Sequence, residues 1–141
     1  MKTVTSKKKL QWVIRILAAA PLLSGLIGLA GIYNPLFNQS LPENLILDSN
    51  LRFLNAMSIA VALSFYYITP VIEKETTGCR IICSTIFLGG LGRLISIFDL
   101  GLPPVPFIVF LVVELTSPII IVFWQKKLAS EYQNAHLQDA I

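Results

Sequence analysis

The sequence predicts an all-α integral membrane protein, a four-helix bundle with both termini in the cytoplasm. Three observations predict it. Of 141 residues, 55% are hydrophobic and only 13% charged, about half the roughly 25% charged share of a soluble domain. The apolar residues gather in four runs, each near the roughly 20 residues that a spanning helix needs, and the mean hydropathy is +0.71. The basic residues, finally, cluster outside those runs. Four such helices leave no room for a sizeable soluble domain, so one domain is expected.

Residues 1–10 read as a basic cytoplasmic arm carrying Lys2, Lys7, Lys8 and Lys9. The first helix is expected over about 11–33. It is too long for the apolar core of a signal peptide, and no small-residue cleavage site follows it, so it should be retained. Ala20, Ser24 and Gly28 recur every four residues along it, the period at which small residues let a second helix approach in lipid. Pro21 leaves the carbonyl of Leu17 without its helical donor and should kink the helix. Asn34-Pro35 should end it. Asn34 to Leu51 is half apolar and is expected to lie as a loop or short helix at the mouth of the bundle.

The second helix is expected over 52–72, with Arg52 and Asn55 three apart on one face and Tyr66, Tyr67 and Thr69 at the interface. A polar turn containing Glu73, Lys74 and Glu75 leads to the third helix, over 81–98. Thr85, Gly89, Gly92 and Ser96 share one of its faces, and Gly89 and Gly92 are assigned to helix packing. The fourth helix is expected over 105–124, closed by Trp124, Lys126 and Lys127, with residues 126–141 as a cytoplasmic tail.

Orientation follows from the basic residues. Lys2, Lys7, Lys8, Lys9, Arg15, Lys74, Arg80, Lys126 and Lys127 fall on one side of a four-pass topology, against Arg52 on the other. The positive-inside rule places that side in the cytoplasm. The formal net charge of +3 therefore reflects membrane topology, and no nucleic-acid partner is expected. Cys79 and Cys83 lie four apart with no His or carboxylate cluster beside them, so no metal and no cofactor are expected. The lone His136 is in the tail, and no nucleophile–base constellation points to catalysis.

Two ionisable residues remain inside apolar runs: Arg93 and Glu114. Such groups face the protein interior and lean toward function. At about 1.5 Å per residue, Arg93 lies roughly 9 Å along its helix from Asp99, and Glu114 roughly 12 Å from Pro106. An antiparallel pair of helices thus sets them at matching depth. The pair either locks the helices together or lines a site for a polar group. Arg52 and Asn55, entering from the same outer side, extend the expected polar network. Pro118 adds the freed carbonyl of Glu114 to it.

Asn50-Leu51-Arg52, the string Gly89-Gly90-Leu91-Gly92-Arg93-Leu94-Ile95-Ser96 and Glu114-Leu115 together resemble the bacterial membrane-protein family catalogued as domain of unknown function 4345. The resemblance covers roughly residues 10 to 125. It supports the architecture and Arg52, Arg93 and Glu114 as polar positions, and it implies no activity. One departure is Asn55-Ala56, where the family's pattern has glycines. A looser similarity to DoxX-like four-helix membrane proteins is one of topology, which licenses no function.

The function expected from these residues is non-enzymatic. In the lipid bilayer, an outer-leaflet polar pocket of Arg52, Asn55, Arg93 and Glu114 binds a lipid or other small amphiphile, or a partner membrane protein such as a second copy in a homo-oligomer. The competing expectation is a small proton-coupled transporter, working as a dimer, with Glu114 titrating.

Overall fold

The computed structural model describes residues 2–31 and 44–138. Over that length the chain forms four helices: α1 (Lys2–Leu29), α2 (Leu45–Ile68), α3 (Thr76–Leu100) and α4 (Val105–Gln138). A 3-10 turn at Thr69–Val71 follows α2, and there is no strand among the described residues. Each helix is long and apolar enough to cross a membrane. Their outer faces agree, since large apolar side chains stand exposed on all four, Ile16, Phe53, Leu88 and Phe123 among them, a pattern that a lipid environment suits and water does not.

Contacts divide the chain into two compact units, one of Met1–Trp12 with Pro70–Ile141 and one of Val13–Thr69. Helix α1 is continuous and gives its first turns to the former and its remainder to the latter.

Every helix departs from its expected bounds, for local reasons. Helix α1 starts at Lys2, so the basic arm is helical. Lysine is a good helix former, and the arm is held at two points: Lys7 pairs with Glu73 at 2.7 Å, and Trp124 Nε1 donates to Ser6 Oγ at 3.0 Å. The helix runs unbroken through Pro21 and stops at Leu29, where Gly31 takes a left-handed φ of 90°. The expected end at Asn34-Pro35, and the mouth segment from there to Glu43, lie outside the described residues.

Helix α2 begins seven residues earlier than the expected Arg52. Asn44 caps it, its side chain accepting from Leu47 N at 3.0 Å, which satisfies one of the orphan donors of a first turn. Asp48 in that turn favours the positive helix end and pairs with Arg52, one turn on, at 2.8 Å. Leu45 to Leu51, expected as a loop or short helix, thus forms the first turns of α2. Helix α3 ends against Gly101, whose φ of 93° turns the chain while its N–H still reaches Ile97 O at 2.9 Å.

The largest departure is α4. It continues well past Trp124, because Leu128 and Ala129 are buried and Lys74 sits 5.4 Å from the centre of the Tyr132 ring. The first half of the expected tail is therefore packed helix. Helices α3 and α4 pack as an antiparallel pair: Gly90 faces Leu115, while further down Cys83 and Ser84 line a shallow apolar groove with Val122 and Phe123.

Candidate functional site

Helices α3 and α4 are joined through Gly101 to Pro104, and a connection this short forces neighbouring, antiparallel helices. Close approach then requires a missing side chain at the crossing. Gly90 provides it: a Cβ at that position would stand 2.9 Å from Leu115 Cδ2 and 3.1 Å from Glu114 Cβ. At Gly89 and Gly92 a Cβ would meet nothing within 4 Å. The α3 position that meets α4 is therefore Gly90, one residue and about 100° around the helix from the expected packing positions Gly89 and Gly92.

With the backbones this close, Arg93 and Glu114 meet. Arg93 Nε donates to Glu114 Oε2 at 2.8 Å. The Arg93 side chain is 42% exposed and that of Glu114 24%. Phe107, two turns before Glu114 on α4, lies under the guanidinium with its ring centre 5.9 Å from Arg93 Cζ. That geometry is a cation–π contact. Among the described residues neither charged group makes a further hydrogen bond, so the pairing is a single point. An arginine and a carboxylate meeting as a fork would use two donors and two acceptors. Here the Nη edge of Arg93 and the second oxygen of Glu114 are left over.

Arg52 and Asn55 have their contacts within the other unit. Arg52 Nε donates to Asp48 and its Nη1 donates to the Leu29 carbonyl at 2.9 Å, one of the orphan acceptors at the end of α1. A Cβ on Gly31 would overlap Arg52 Nη2 and stand 2.7 Å from Asp48 Oδ1. Arg52 is thus engaged as a cap for α1. Asn55 Nδ2 donates to Leu51 O at 2.7 Å, and its amide lies flat against Gly28, where a Cβ would overlap it. Of the small residues singled out on α1, Gly28 is buried while Ala20 and Ser24 are exposed. Gly25 is the other close contact, since a Cβ there would stand 2.7 Å from Asn55 O.

A second polar cluster was not visible in the sequence. Gln125 is fully buried, and its Nε2 donates to Ile72 O at 3.0 Å and Thr76 Oγ1 at 2.9 Å. Glu73, 9% exposed, takes Lys7 on Oε1. Glu73 Oε2 and Gln125 Oε1 are buried without a partner among the described residues. In sequence, Lys7 and Gln125 read as flanking polarity and Glu73 as part of a solvated turn. Only the Glu73-Lys74-Glu75 run between two helices hinted that a charge there needed a partner. Asp48 had a clearer signal, its spacing of four from Arg52. No group of three or more potential metal ligands occurs among the described residues.

The chain's glycine-arginine string, its mid-helix glutamate and its four apolar helices fall together in one comparison. A family model, Domain of unknown function (DUF4345), matches residues 9–125. The chain belongs to the DUF4345 family. Nothing matches among curated proteins or among solved structures. In this DUF4345 chain the match takes in Arg52, Arg93 and Glu114, and it ends at Gln125.

Proposed function

We propose that this DUF4345 protein is a non-enzymatic, multi-pass protein of a bacterial inner membrane that binds a small amphiphile at the Arg93–Glu114 pair. Both termini face the cytoplasm in this reading, which rests on the basic residues at the ends of α1 and α4 and before α3.

The observation that carries the reading is the single-point ion pair. A charge inside the bilayer is costly and is normally paired or hydrated. Arg93 at 42% exposure, with its Nη donors unused, is only partly compensated by Glu114. An anionic group on an amphiphile completes it. A purely structural pair would gain more by closing into the bidentate form. The surroundings are apolar, with Phe107, Ile108 and Leu111 on the same stretch of α4, which suits a ligand that arrives through lipid.

The test is the mass spectrum of what copurifies. Gently extracted wild-type protein should carry a bound amphiphile, and Arg93→Gln, folded to the same helical content, should lose it. An identical set of bound species on the two proteins would remove the proposal.

A further inference from the structure

We infer that the group recognised at this site is zwitterionic, a phosphate with a primary ammonium beside it, as in the phosphoethanolamine head group. The inference rests on the amphiphile reading above and adds the chemical class of the ligand.

The pair leaves atoms of both partners open. Arg93 spends Nε on Glu114 Oε2 and keeps both Nη groups, which present donors in a plane matched to phosphate oxygens. Glu114 keeps Oε1, an acceptor with a full share of the carboxylate charge. Each open atom is two bonds from an atom in the 2.8 Å contact, so free donors and free acceptor stand side by side. A plain anion would satisfy Arg93 and be repelled by Glu114. A plain cation would do the reverse.

A group with both charges satisfies both partners and adds no net charge at hydrocarbon depth, where net charge is penalised. A guanidinium donates only in its own plane, so a phosphate comes edge-on to the Nη groups, beside the Glu114 carboxylate they adjoin, with Phe107 5.9 Å from Cζ as an apolar neighbour. A primary ammonium donates hydrogen bonds to a carboxylate. A quaternary ammonium has no N–H and donates none, so the site should separate the two. The same head-group chemistry can be presented by a phospholipid or by free phosphoethanolamine.

The experiment is competition on delipidated full-length protein, followed by native mass spectrometry. The probes are dioleoyl phosphatidylethanolamine, phosphatidylcholine and phosphatidylglycerol, which share their chains, and free O-phosphoethanolamine. Retention of the ethanolamine lipid about tenfold above the other two is expected, the worth of one charge-assisted hydrogen bond, with the free compound far weaker. Equal or better retention of phosphatidylglycerol would overturn the zwitterion while leaving amphiphile binding intact. Free O-phosphoethanolamine binding as well as the lipid would keep the head-group chemistry and overturn the amphiphile. No retention of any probe overturns both. Glu114→Gln should bring the ethanolamine preference down to that for choline. Because the wild-type comparison decides by itself, a variant that fails to fold does not rescue the proposal.

Discussion

Lys7 Nζ and Glu73 Oε1 lie 2.7 Å apart across 66 residues of chain, fastening the first turns of α1 to the turn that opens α3. Glu73 is nine-tenths buried, so removing its partner leaves a charge with little water to turn to. Lys7→Met should destabilise the protein by about 1–3 kcal/mol, while Lys8→Met, at an exposed position, should change it by less than about 0.5 kcal/mol. Unfolding by SDS in mixed micelles measures both, and equal effects would mean that the pair does not fasten the segment.

Gly90 is where α3 and α4 touch. Gly90→Val should cost about 1–3 kcal/mol by overpacking against Leu115 and Glu114. The same assay on Gly89→Ala and Gly92→Ala should show a neutral or stabilising change, since helical alanine is favoured over glycine by up to about 1 kcal/mol. The order of the three variants is the test.

Gly31 combines a φ of 90° with the nearness of Arg52 and Asp48. Gly31→Ala should lose about 1–3 kcal/mol and displace the Arg52 cap from the end of α1. Arg52→Leu should lose the same cap without backbone strain, so adding it to Gly31→Ala should cost less than the two single effects combined.

Gln125 donates to two acceptors from a fully buried position. Gln125→Glu keeps the shape and replaces the donor with an acceptor. Thr76 can rotate its hydroxyl to donate instead, but the Ile72 carbonyl cannot. The substitution should therefore destabilise by about 2–5 kcal/mol, and more than Gln125→Leu. Thermal stability in lipid nanodiscs would show the ranking.

Orientation has its own test. With Cys79 and Cys83 replaced by Ala, a cysteine at Ser130 should react with an impermeant maleimide only in inside-out vesicles. One at Asn50 should react only in right-side-out vesicles. The opposite pattern would reverse the topology proposed from Lys and Arg placement.

The helices were legible in the sequence because apolar length and flanking polarity report them directly. The meeting of Arg93 and Glu114 was legible for a narrower reason: a short turn fixes two antiparallel helices in depth, and rise per residue does the rest. Rotation about the axis is another matter. A stripe of small residues at helical period pointed at Gly89 and Gly92, yet the neighbour that selects Gly90 is Leu115 on a different helix, and no local pattern encodes it. Helix ends were misplaced for a related reason. Lys7 and Gln125 look like solvent-facing polarity until Glu73 and Ile72 are brought against them, and Leu45 to Leu51, expected as loop or short helix, joins α2 through the Asn44 cap.

Helix α4 has 34 residues, which at about 1.5 Å each gives a rod of roughly 50 Å, against a hydrocarbon layer of roughly 30 Å. Were Val105 set at one interface, the turns beyond Lys126 and Lys127 would stand clear of the lipid as a stiff mast. Buried Leu128 and Ala129 brace its base. A fluorophore placed at Gln133 would accordingly move with the transmembrane pair itself. Any tilt of α4 on ligand binding would be read outside the membrane, magnified by the length of the lever.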